Sequence, residues 1–147
     1  MQWSLVGLVA LAGMALPFQA GMNASLAARL ASGHVAAMVN FSIGAVILAL
    51  IVTLTRQWGA LNSQALSGAP WWIWGGGLIG AFAVYASLKA APMIGAVALL
   101  GIIVSAQMAM SVVVDHFGWV GFPQQAVSPS RIAGILFLVV GVWLIRR

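Results

Sequence analysis

The chain reads as five apolar blocks separated by short polar breaks. The blocks cover residues 3–28, 35–54, 71–88, 93–114 and 129–146. A helix that crosses the hydrocarbon core needs about 20 mostly apolar residues, and each block is of that order. The last has the shortest apolar run, Ile132 to Ile145. Ser128 and Pro129 just before it supply an N-cap and a proline suited to the first helical position. Helix from Pro129 to Arg147 would rise roughly 28 Å at 1.5 Å per residue, enough to cross. The breaks are Arg29–His34, punctuated by Ser32 and Gly33, and the longer Arg56–Pro70. Lys89-Ala90-Ala91-Pro92 reads as a tight turn, and Asp115–Ser130 is the longest connector. The pattern predicts an all-α membrane protein, a single transmembrane domain of five helices over residues 1–147. The first block lacks a basic leader and is long for a signal sequence, so it is expected to be a retained helix.

Composition excludes most other classes. Of 147 residues, 63% are hydrophobic and 5% are charged, against about 25% charged in a typical soluble domain. A soluble fold of this size buries only about 70% of its surface and could not hide so much apolar side chain. With mean hydropathy at +1.10, the expected partner of this surface is the lipid bilayer. An ordinary cytosolic enzyme, a disordered chain and a secreted disulfide scaffold are excluded together. The net charge of +5 does not point to nucleic acid, because the six basic residues are spread singly except for Arg146 and Arg147. No stripe follows a phosphate backbone. Read as loop anchors, Arg56 and Arg131 fall on one side of a five-span chain. Arg29, Lys89, Arg146 and Arg147 fall on the other. The bias is small, favouring a cytoplasmic C-terminus while matching insertion in both orientations. Cysteine is absent, which removes thiolate chemistry. Trp71, Trp72 and Trp74, with Trp3, Trp58, Trp119 and Trp143 near other span ends, form an interfacial belt.

Polar groups inside a membrane are costly and each needs a reason. Pro17 removes a backbone hydrogen bond and is expected to kink the first helix. Gln19 and Asn23 follow at i,i+4 spacing on one face, as a solute-recognition element or as amides that bond neighbouring helices. Gln107, Ser111 and Asp115 form a second i,i+4 stripe. Asp115, the only acid, lies at the end of its span within reach of Arg131, so a structural ion pair is expected rather than a proton relay. Asn40 and Ser42 lie near the start of the second helix, where only one of them can face a cavity. Tyr85 and Lys89 share a face of the third helix, Lys89 snorkelling to the headgroups. Gly76 with Gly80, and Gly134 with Gly141, read as close-packing faces. His34 and His116 sit at span ends without partners at metal-ligand spacing. No metal, cofactor or nucleophile–base pair is expected, and so no enzyme.

Several segments together resemble a known family. Gln19-Ala20-Gly21-Met22-Asn23-Ala24-Ser25-Leu26 resembles the end of the first helix in YdcZ-type inner-membrane exporters. Gly75-Gly76-Gly77-Leu78-Ile79-Gly80-Ala81 is similar to their third helix. Gln107 to Ser111 with Asp115-His116-Phe117-Gly118 is similar to their fourth, and Pro129-Ser130-Arg131 with Gly134 and Gly141-Val142 to their last. The resemblance implies a half-size member of the drug/metabolite transporter superfamily in the bacterial inner membrane. It implies that two copies, or two related chains, pair antiparallel into a ten-helix assembly. Gln19, Asn23, Gln107 and Ser111 would then face a cavity at the dimer axis; Asn40 and Tyr85, from their own positions, are expected as further solute-binding residues. The resulting expectation is an exporter of a small neutral or zwitterionic organic solute working by alternating access. A non-transporting membrane subunit that packs against another integral protein, or a narrow channel, stands as the alternative.

Overall fold

The structure is a computed structural model that describes residues 2–145, apart from the side chains of Gln2, Ser63 and Ala65. Arg146 and Arg147, on which the charge balance partly rests, lie outside the described residues, as does Met1. The described residues are helical, without strands. The helices are α1 (Gln2–Leu30), α2 (Gly33–Leu54), the single-turn α3 (Ser63–Leu66), α4 (Gly75–Phe117) and α5 (Pro129–Ile145). Trp3–Arg29, Gly33–Leu54 and Trp71–Phe117 are long and apolar enough to cross a membrane, and Pro129–Ile145 is a shorter apolar helix. The chain forms two compact units. One is Gln19–Lys89; the other takes the chain up to Phe18 and from Ala90 onward. α1 is helical through Pro17, so the expected kink is not a break in the helix.

In the Gln19–Lys89 unit, α1 and α2 join through two residues. The Ser32 amide donates to the Ala27 carbonyl at 3.2 Å and the Ala31 amide to the Ala28 carbonyl at 3.3 Å. These are the paired bonds that close a helix end through a left-handed residue, here Ala31 at φ 50°. Ser32 then begins the next helix: its hydroxyl accepts from the Val35 amide at 3.3 Å. The tight turn lets α2 lie against α4. A Cβ added to Gly33 would come within 2.7 Å of Leu88 Cδ1 and 3.2 Å of Tyr85 Cε2. Gly33, Ala36, Ala37 and Leu88 are accordingly buried. Small residues at the seam are what helices in lipid need, because close backbone approach replaces the hydrophobic driving force available in water.

The expected turn at Lys89–Pro92 stays helical, and the interruption falls instead at Gly95. Alanine, methionine and isoleucine around Pro92 keep helical geometry, whereas Gly95 takes φ 76° and ψ 163°. That region is essentially open to glycine alone, so the break lands on the nearest glycine rather than on the proline. The expected third helix also starts late, because Trp71–Trp74 forms a 3₁₀ turn before α4 begins.

In the other unit, Ala98 and Leu99 are buried, and α4 meets α5 at Gly101, where an added Cβ would lie 2.7 Å from Val142 Cγ2. Within the single chain, the glycine faces read from spacing stand mostly open. An added Cβ at Gly76, Gly134 or Gly141 meets no described atom within 4 Å, and at Gly80 it meets only the Phe41 ring at 3.7 Å. Spacing identifies which glycines share a face but not which face meets a neighbour. Gly95→Ala tests the break by itself, since no described atom stands within 4 Å of the added methyl. The backbone penalty of about 1–3 kcal/mol is expected to lower the unfolding midpoint in detergent micelles, whereas Gly76→Ala leaves it unchanged.

Candidate functional site

Two cavities open within the Gln19–Lys89 unit, and Phe41 and Ala45 of α2 line both. The first, about 410 Å³, is bounded by Gln19 and Asn23 of α1, by Asn40, Phe41, Gly44, Ala45 and Leu48 of α2, and by Val84 of α4. Its polar end is an amide pair. Asn40 Nδ2 donates to Asn23 Oδ1 at 2.7 Å, and Asn23 is only 7% exposed. One helical turn earlier on α1, Gln19 is exposed and faces the same space. Three of the residues singled out from sequence therefore meet at one cavity, and no charged side chain lines it. Asn23 bonds α1 to α2, while Gln19 lines the cavity.

The second cavity, about 540 Å³, lies between α2 and α4. His34, Ala37, Met38, Phe41, Ser42 and Ala45 face Gly77, Ala81 and Tyr85 across it. Asn40 and Ser42 thus both reach a cavity, each a different one, because α2 has open space on two flanks. The imidazole of His34 stacks on the Tyr85 ring with centroids 4.2 Å apart and planes 11° from parallel. Lys89 Nζ lies 5.9 Å from the centre of the same ring. Tyr85 lines this cavity, and so does His34, which sequence reading did not place there. The signal for it was the spacing of His34, Phe41 and Ala45, which puts an otherwise solvated residue on the face of α2 that lines this cavity.

The other unit holds the remaining candidates. Arg131 Nη1 lies 3.2 Å from Asp115 Oδ2, and the Arg131 guanidinium also donates to Gln125 Oε1. The connector folds back over the end of α4. The Gln125 amide donates to the Asp115 carbonyl at 2.8 Å, and Gln124 Nε2 to the His116 carbonyl at 3.0 Å. Ser128 Oγ caps α5 by accepting from the Arg131 amide at 3.3 Å. A groove of about 310 Å³ runs from this pair along Met108, Ser111 and Val112 of α4 and Gly134, Ile135 and Leu138 of α5. Ser111 lines it, whereas Gln107 is exposed and lines none of these three cavities. Among the described residues no group of His and acidic side chains could hold a metal ion.

These features, apolar helices carrying polar pockets with the one acid held in an ion pair, describe a multi-pass membrane protein. Residues 4–144 match the family described as "Putative inner membrane exporter, YdcZ". The chain is 31% identical over 113 residues to the inner membrane protein YdcZ of Escherichia coli (strain K12), a match covering 77% of this chain and 74% of that protein. No solved structure matches the chain significantly. The chain belongs to the YdcZ exporter family. It is a multi-pass protein of the bacterial inner membrane, in a class of transporters and not of enzymes.

The division of labour between the two α1 amides has a measurable consequence. Asn23→Ala leaves the Asn40 amide without its acceptor and is expected to cost about 1–3 kcal/mol, the usual penalty for orphaning a buried polar group. Gln19→Ala, at an exposed position, is expected to stay within about 0.5 kcal/mol of the parent. Chemical unfolding in mixed micelles checks both. Equal losses would mean that Gln19 is also a structural amide.

Proposed function

We propose that the chain is one half of a two-chain exporter that moves a small neutral or zwitterionic organic solute by alternating access. The observation that carries this reading is the cavity at Gln19, Asn23 and Asn40, which offers amide donors and acceptors and no charge. A multiply charged solute would enter hydrocarbon depth there without a partner, at high cost, whereas a neutral one exchanges water for amides. Gln19 meets the solute, the Asn23–Asn40 pair fixes the wall, and Tyr85 closes the adjoining cavity. Gln107 and Ser111 remain proposed solute-contacting residues, Ser111 on the groove between α4 and α5.

The finer architecture belongs to the same proposal. The Gly95 break divides α4 into two stretches of about 20 residues, each about 30 Å long at 1.5 Å per residue, which supports five spans when α5 is counted. Five spans place the connectors on alternate sides. Two copies inserted in opposite orientations, or two related chains, then make a ten-helix unit of the drug/metabolite transporter superfamily. The near balance of basic residues between the two sides is consistent with that dual topology, and the many large apolar side chains exposed on α1, α2 and α5 leave surface for both lipid and a second copy.

Efflux from proteoliposomes loaded with a mixture of amino acids, polyols and nucleosides tests the reading, with the released solutes identified by mass spectrometry. At least one uncharged or zwitterionic solute is expected to leave faster than from empty-lipid controls. The Gln19→Ala protein is expected to release it at least about tenfold more slowly, the loss equivalent to about 1.4 kcal/mol of solute interaction. Release that saturates with solute concentration supports a carrier; linear release would support a channel instead. No selective release of any solute would overturn the proposal.

A further inference from the structure

An ionisable side chain in a spanning protein is a candidate functional group, and a carboxylate is the usual one. This chain has a single acid, and Asp115 is already held by Arg131 at 3.2 Å, beneath a connector whose amides bind its carbonyl. Histidine is the remaining side chain whose ordinary titration falls between pH 5 and 8. There are two. His116 lies beside Asp115 at the end of α4 and lines none of the three cavities described above. His34 is exposed and lines the 540 Å³ cavity that shares Phe41 and Ala45 with the amide cavity.

The geometry points to His34 as a proton-binding site whose charge state sets the α2–α4 wall of this cavity. This rests on the reading of the adjoining cavities as the solute site. The imidazole lies flat on Tyr85 at 4.2 Å, and the stack is held from behind. Gly33 lies so close to Leu88 and Tyr85 that an added Cβ would force one of them to shift, and Leu88 is 3% exposed. The charged and titratable groups around the stack are few. α4 contributes Tyr85 and Lys89, the latter 5.9 Å from the ring; α1 ends in Arg29 on the far side of the two-residue turn. A proton on His34 therefore creates a second cation at a ring that Lys89 already approaches. An imidazolium binds an aromatic face more strongly than neutral imidazole does, while two cations at one ring repel. Protonation thus resets which of the two holds Tyr85, and with it the α2–α4 wall of the cavity. It also changes what the ring offers a solute: neutral imidazole presents one donor and one acceptor, imidazolium two donors.

Tyr85 is the only tyrosine and the chain has no cysteine, so both can be read without background. Protein labelled with ring-¹³C tyrosine in nanodiscs gives one set of aromatic signals. Between pH 5 and 8 these are expected to move as a single one-proton titration, to stand still in His34→Gln, and to titrate as in the parent in His116→Gln. Proton binding alone would satisfy that, so cavity opening is measured as well. In Ala45→Cys the maleimide labelling rate, normalised at each pH to Leu61→Cys in the connector, is expected to change at least threefold between pH 5.5 and 8. In the His34→Gln background the ratio is expected to stay flat. A ratio that changes equally with and without His34, or a Tyr85 signal that does not titrate, overturns the proposal. Neither readout needs a transported solute, so either result is separable from failure of the exporter reading.

Discussion

Hydrocarbon offers an amide no water, so an amide on a spanning helix must bond another helix, a cavity or a solute. The bond from Asn40 to Asn23 is where this chain meets that constraint. At 2.7 Å between a residue of α1 and one of α2, it fixes the register of the hairpin closed at Ala31 and Ser32. With that register set, Gln19 comes to the same side one turn earlier, and Phe41 is left to line the cavities on both flanks of α2. A neutral cavity wall follows from using amides rather than charges as the polar contact between helices.

The charged groups follow the complementary rule. Asp115 and Arg131 pair beside a connector that supplies Gln125 and Ser128 as further polar partners, while Gln124 donates to the neighbouring His116 carbonyl. Each of these residues lies at or beyond a helix end. Each partly exposed charge has its countercharge or an amide within reach, and α5 begins at a proline where its missing amide proton costs nothing. The interior polarity that remains is carried by amides, hydroxyls and one stacked histidine.

Much of this was legible in the residue order, and the failures share a cause. The helix content, the α1–α2 turn at Ser32, the Asp115–Arg131 neighbourhood and the common face of Gln19 and Asn23 all depend on contacts close in sequence or on helical period. Spacing alone could not choose between Pro92 and Gly95 as the place where α4 breaks, because that depends on which residue can adopt a left-handed extended backbone. Nor could it tell Gly76 from Gly101 as a packing position. Both glycines sit on apolar helix faces, and only the arrangement of neighbours puts Val142 against one of them. His34 was missed for the same reason. A histidine at a helix start is ordinarily solvated, and its stack depends on a residue of another helix, Tyr85. Asn40 and Ser42 were set against each other on the assumption of a single cavity; open space on two flanks of α2 removed the choice.

The proposed antiparallel pair takes its simplest form when one sequence supplies both halves by inserting in two orientations. Labelling of Leu61→Cys, expressed in cells lacking any related chain, tests it most directly. A membrane-impermeant maleimide is applied to intact spheroplasts and, separately, to inverted vesicles. Comparable fractions of the protein labelled from each face are expected, together accounting for all of it. Labelling from one face alone would contradict an antiparallel pair of identical chains.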